Sequence, residues 1–216
     1  MVQATSPSPP GLEVVAVLGD VVASRSHGNR QALQRTLEAA FVRVAGAVRA
    51  IQPFTMTIGD EFQALFRSVA AALEATLRLR LLLIDEVDVR LGVGYGAVAA
   101  LDEGREPFGQ DGPGWWRARQ ALENVADAQH RYGWPRTWRT GWIDAGERGG
   151  PVHGYLMLRD QLIAGFDRVD ADITLALLDG ETQSAMANRL GVDRSAVSRR
   201  VASHGISAIL RSGGIR

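Results

Sequence analysis

Asp20 closes the apolar run Val14-Val15-Ala16-Val17-Leu18, and Asp60-Glu61 follow Gly59 between two runs of alternating residues. Paired carboxylates at strand ends suit a hard divalent cation such as Mg²⁺, which prefers oxygen donors and keeps waters or substrate phosphates in its shell. A cation held there can polarise a triphosphate and help align an attacking hydroxyl. Asp20 and Asp60 are therefore the candidate metal ligands and catalytic carboxylates, with Glu61 as a lesser ligand. Aspartate and Gly-Asp are also ordinary turn formers, so an architectural role stands beside the chemical one. Ser24 and Arg25 follow the first aspartate closely and are candidate nucleotide-binding residues through phosphate; alternatively, Arg25 pairs with Asp60 or Glu61.

A second constellation lies near the C-terminus, from Thr182 to Val201. Met186, Ala187 and Leu190 give a first helix its packing face, Gly191 supplies the positive φ of a turn, and Val192 is expected to plug that turn. Asp193 is the expected cap of a second helix, with Val197 and Val201 turned inward one helical turn apart. Arg194, Ser195, Ser198 and Arg199 are left on the outer arc, where a recognition helix meets bases, and Arg189 and Arg200 fall nearer the backbone of duplex DNA. From Gln183 onward six arginines face one aspartate, so the end is basic. A helix-turn-helix of this shape can also be a mere packing unit.

The elements that must position these residues follow from periodicity. Val14 to Leu18 reads as a strand buried on both faces. Leu33, Leu37, Phe41, Val44 and Val48 recur at helical spacing behind Asn29 as N-cap, with Pro53 expected to close the helix. Phe54, Met56 and Ile58, then Phe62, Ala64 and Phe66, alternate on either side of Gly59-Asp60 and predict a hairpin. A helix capped by Ser68 carries Val69, Leu73, Leu77, Leu81 and Ile84, and Val87 to Val98 predicts a last strand.

The order β-α-β-β-α-β is the ferredoxin-like one, an α+β fold in which the third strand lies between the first two. That topology brings the end of the first strand and the hairpin tip to one sheet edge, so Asp20 and Asp60 are expected to lie close together. Trp115 to Gln129 reads as a helix, and all five tryptophans fall between Trp115 and Trp142, as base-stacking, core or interface groups. The domain reading is a disordered tail over 1–11, a palm over 12–145, a linker helix over 146–167 and a small all-α helix-turn-helix module over 168–216.

Composition narrows the rest. The net charge is zero, with 24 basic and 24 acidic residues, and there is no cysteine, which excludes disulfides, zinc fingers and thiol nucleophiles. Every basic residue is arginine, which excludes a Schiff base and a Walker-A lysine. The four histidines show no ligand spacing. No apolar stretch approaches the roughly 18 residues that cross a bilayer, and Met1 to Pro10 lacks a basic-then-apolar leader; a cytoplasmic protein with no membrane partner is expected.

Gly19-Asp20-Val21-Val22-Ala23-Ser24-Arg25 and Thr57-Ile58-Gly59-Asp60-Glu61-Phe62-Gln63-Ala64-Leu65 resemble the two hallmark segments of the SatD family. Arg90-Leu91-Gly92-Val93-Gly94-Tyr95-Gly96 and Gly114-Trp115-Trp116-Arg117-Ala118-Arg119-Gln120-Ala121-Leu122 continue the likeness. That family is in turn similar to the palm of class III nucleotidyl cyclases and diguanylate cyclases, which implies metal ligation by Asp20 and Asp60 and makes Arg119 a catalytic candidate. Ile58 stands where a diguanylate cyclase has its first glycine, and no clear Asn-x-x-x-Arg accompanies Arg117 and Arg119. The leading functional expectation is a DNA-binding transcriptional regulator with a metal- or nucleotide-sensing palm. Its partners would be duplex DNA, a nucleotide and a second copy in a homodimer. The alternative is a Mg²⁺-dependent nucleotidyl cyclase or nucleotidyltransferase using Asp20 and Asp60, and a third reading is a degenerate palm serving as scaffold.

Overall fold

The computed structural model describes residues 12–23, 29–100, 110–146 and 150–212. The expected tail 1–11 and the pair Ser24-Arg25 lie outside the described residues. Strand β1 (Leu12–Val21) leads to helix α1 (Arg30–Ala47), the hairpin β2 (Gln52–Met56) and β3 (Phe62–Phe66), helix α2 (Val69–Leu82) and strand β4 (Val89–Ala100). Then follow β5 (Gln110–Asp111), α3 (Pro113–Ala128), β6 (Thr140–Ile143) and α4 (Pro151–Ile163). Four helices end the described chain, α5 (Arg168–Leu178), α6 (Gln183–Leu190), α7 (Arg194–Ser203) and α8 (Ile206–Ser212).

The strand order β2-β3-β1-β4 is that of the ferredoxin-like arrangement, with β3 antiparallel to both neighbours. Val14 to Val17 have no solvent exposure, as a central strand requires. Asn29 and Ser68 both act as N-caps, accepting from the backbone N–H of Ala32 and Ala71. Pro53 does not close α1, which ends at Ala47; it sits in β2, an outer strand of the sheet. There its missing N–H breaks no central ladder.

Sequence periodicity missed β5 and β6. Each is too short to show a period, and both add to the outer edge of β4, β5 antiparallel and β6 parallel.

The two faces of the sheet are filled differently. Toward α1 and α2 the core is built of large side chains, with Leu37, Phe41 and Val44 of α1 against Phe54, Phe62 and Phe66. The Phe41 ring lies 5.6 Å from Phe54 and 5.1 Å from Phe62. Toward α3 the sheet presents Gly92, Gly94 and Gly96 of β4 and Gly141 of β6. A Cβ on Gly92 would stand 2.1 Å from the Ala118 carbonyl oxygen, and one on Gly94 would stand 2.3 Å from the Ala118 amide. Helix α3 therefore rests on bare backbone, with Trp115, Ala118 and Leu122 filling the space against Val14, Ala16 and Leu18.

The C-terminal helices share the core of the α1–α2 side. Ile173 and Leu175 of α5, Met186 and Ala187 of α6, Val197 of α7 and Ile206 of α8 belong to the same apolar cluster as Phe62 and Leu77. Arg78 and Asp179 bond at 2.6 Å between α2 and the end of α5. Helix α4 carries a buried polar knot. Asp160 accepts from Arg80 at 3.0 Å and from the backbone N–H groups of Arg139 and Thr140, which fixes the start of β6. Arg159, also buried, bonds the Leu73 carbonyl and the hydroxyls of Thr76 and Thr140. Burial lowers the Arg80 pKa despite Asp160, because removing a charge from water costs more than one partner returns.

Candidate functional site

The sheet edge at the end of β1 carries three arginine–carboxylate forks. Asp20 lies directly opposite Arg90 in the β1–β4 register, and the guanidinium spans both carboxylate oxygens, Nε to Oδ1 at 2.8 Å and Nη2 to Oδ2 at 2.7 Å. The β1–β3 pairing ends at Gly19 opposite Phe62, so Asp20 and Glu61 are the next residues along the two chains, and both carboxylates act on Arg119. Glu61 is held in turn by Arg119 of α3, with both oxygens bonded at 2.8 Å. The hydrogen bonds that Arg119 donates to Glu61 raise the Arg119 pKa above its usual value, and the Asp20 charge adds to the effect. Arg139, at the mouth of β6, is forked onto Asp88. Strand alternation places Asp20, Arg90 and the glycine stripe on one face, so the close seat of α3 is what brings Arg119 within reach.

Asp60 serves different surroundings. Gly59 has φ +72°, and the Glu61 N–H bonds back to the Ile58 carbonyl at 3.2 Å, a tight turn with Gly59-Asp60 at its centre. The turn tips Asp60 toward α1. There it lines a cavity of about 350 Å³ with Val21, Arg30, Leu33, Gln34, Leu37, Met56 and Thr57. Among the described residues Asp60 makes no hydrogen bond or ion pair. Arg30, in the first turn of α1, is likewise without an ion pair among them. The wall therefore combines one carboxylate, one guanidinium and an amide over an apolar floor.

The structure thus brings Asp20 together with Glu61, each neutralised by its own arginine, and opens Asp60 to the cavity on the other side of the hairpin tip. The donors have the hard-oxygen chemistry that Mg²⁺ takes. Among the described residues no group of three His, Asp or Glu side chains is gathered for a metal, so a cation here has to be completed by ligand oxygens. Arg90, Arg30, Arg139 and Asp88 were not singled out by sequence reasoning. The Arg90–Asp20 partnership depends on strand register, which no local motif in the chain announces.

At the C-terminal end, α6 and α7 are joined through Gly191 at φ +65°. Val197 is buried, and Arg194, Ser195, Ser198 and Arg199 are all exposed. Val192 does not plug the turn; it is 46% exposed, because Met186, Ala187 and Val197 already fill the crossing. Asp193 sits at the N-cap without a side-chain cap bond, its carbonyl accepting from Ala196 instead. Arg189 is forked onto Glu181, and Arg200 bonds Asp167 and Asp170. Both are engaged within the helical bundle. Among the described residues Arg194 and Arg199 have no such partner.

Of the five tryptophans, Trp115, Trp138 and Trp142 are core, while Trp116 and Trp134 are exposed. No helix among the described residues is long and apolar enough to cross a membrane.

The model of the SatD family matches residues 14–138, more than half of the chain. Two solved structures are similar in chain path. One is a bacterial light-regulated adenylyl cyclase, 18% identical, with a TM-score of 0.42 over 62% of this chain and 77% of that one. The other is an EAL/GGDEF domain protein from M. capsulatus, 15% identical, with a TM-score of 0.41 over 63% of this chain and 87% of that one. No curated protein matches the chain.

Proposed function

The chain belongs to the SatD family, and from that premise we propose that its cyclase-like palm binds a nucleoside triphosphate in the cavity between α1 and the hairpin tip. The observation that carries this reading is Asp60, a carboxylate with no ion pair among the described residues, which lines one cavity with Arg30 over an apolar floor of Leu33, Leu37 and Met56. A cavity of about 350 Å³ is at the small end of ligand sites, enough for one nucleoside. Leu33 and Met56 offer a base its apolar contacts, Gln34 and Thr57 offer hydrogen bonds, and Arg30 is suited to phosphate. Asp60 is the residue to hold Mg²⁺ that arrives with the phosphates, and bound there the cation would polarise the triphosphate for cyclisation or nucleotidyl transfer.

The test is incubation with labelled ATP and GTP in Mg²⁺ or Mn²⁺, with binding and products both followed. Saturable binding that Asp60→Asn weakens at least tenfold is expected. No binding of either nucleotide with either cation would overturn the reading.

A second reading concerns α7. The exposure of Arg194, Ser195, Ser198 and Arg199, with both arginines unengaged among the described residues, supports contact with duplex DNA through this arc. Bidentate arginine contacts to guanine discriminate by about 1–3 kcal/mol each. Arg199→Ala should relax preference at one base pair in an anisotropy titration. Unchanged affinity and preference in both Arg194→Ala and Arg199→Ala would leave α7 a packing element. Because Arg200 is tied to Asp167 and Asp170, Arg200→Ala should act on bundle stability as well as on binding.

A further inference from the structure

We infer that Arg90 is a latch on Asp20, admitting a divalent cation to that carboxylate only together with a phosphate-bearing ligand. The inference rests on the nucleotide reading of the palm and goes beyond it, since it assigns a role to a residue outside the cavity.

Asp20 and Arg90 face each other as a cross-strand pair, which sets the two side chains side by side. The fork covers both oxygens of Asp20, and the two side chains are only 20% and 19% exposed. Such shielding weakens screening by salt. A cation approaching alone therefore meets a carboxylate already neutralised by a tethered charge, beside a guanidinium that repels it. Among the described residues Asp60 is left as a single open carboxylate, too little for tight Mg²⁺ binding without further oxygens. Glu61 is no substitute, because Arg119 holds both its oxygens from a different element.

Phosphate changes the balance. It presents the same planar pair of acceptors to a guanidinium as a carboxylate does, so Arg90 can exchange Asp20 for a phosphate oxygen without losing its fork. Asp20 is then released to the cation that accompanies the phosphate. The exchange breaks no covalent bond and conserves charge, and it makes cation binding conditional on ligand.

Calorimetry with Mn²⁺ alone tests this on the full chain. Wild type should bind weakly. Arg90→Gln should bind roughly tenfold more tightly, the worth of one charged hydrogen bond, and adding Asp20→Asn should remove the gain. Arg90→Lys, which keeps the charge but cannot span both oxygens, covers a glutamine variant that does not fold; about a threefold gain is expected. Wild type binding Mn²⁺ as tightly as Arg90→Gln would overturn the latch while leaving the nucleotide reading intact. Absence of Mn²⁺ binding in folded Arg90→Gln would also overturn it. Only the further loss of nucleotide binding would bring down both.

Discussion

The two faces of this sheet seat their helices by opposite means. Against α1 and α2 the contact is made by interlocking side chains, the Phe41, Phe54, Phe62 and Phe66 cluster at its centre. Against α3 the contact is backbone on backbone, with glycines at 92, 94 and 141 where any other residue would carry a Cβ. A side-chain contact can relax when one group changes, but a peptide group under a missing Cβ has nowhere to go. The difference also sorts the candidate site. The forks Asp20–Arg90 and Glu61–Arg119 belong to the rigid α3 face, whereas Asp60 opens onto the more adaptable α1 side.

The sharpest way to break this contrast is to add one methyl group. Gly92→Ala should cost about 3 kcal/mol in urea denaturation, because its Cβ would fall 2.1 Å from the Ala118 carbonyl oxygen. On the opposite face Phe41→Leu, which alters several atoms, should cost only about 1 kcal/mol, as neighbouring rings close over the change. A glycine variant milder than the phenylalanine one would show that α3 is free to lift.

Away from both faces, Asp167 caps α5 and bonds Arg200. Asp167→Ala should cost about 1 kcal/mol through the lost cap. The Asp170 backbone N–H, with help from Arg200, holds the Asp167 carboxyl below its usual pKa. Its folded value lies under its unfolded one, so its contribution is complete above the unfolded pKa and fades as pH falls through the folded value. The gap between wild type and Asp167→Ala should therefore narrow in acid melts below the usual carboxylate range. The smallest effect is expected at Arg119→Ala, about 0.5 kcal/mol, since the pair with Glu61 is well exposed to water. A loss as large as at Gly92 would mean that the fork, not the glycine stripe, seats α3.

Much of this was legible in the chain. Asn29, Ser68 and the Leu37-Phe41-Val44 spacing announced α1 and α2, and alternation around Gly59-Asp60 announced the hairpin. Asp20 and the hairpin tip were placed correctly on one edge by topology alone. What stayed hidden were features set by register and approach. Whether Asp20 meets Asp60, Glu61 or Arg90 depends on strand pairing and on which way the turn tips. Nothing in the local sequence around the glycines of β4 says which helix packs on them, and β6 is only four residues long. At the C-terminus, Val197 and the outer arc of α7 were read correctly from helical period. Val192 was not, because burial there depends on how Met186 and Ala187 fill the crossing.

The placement of a nucleotide on the α1 side is tested most directly by hydrogen–deuterium exchange of the full chain with and without Mg²⁺-GTP or Mg²⁺-ATP. Protection should appear at the start of α1, residues 30–37, and at the hairpin tip, residues 56–61. Protection confined to α4 or to the C-terminal helices, or no change with either nucleotide at saturating concentration, would contradict it.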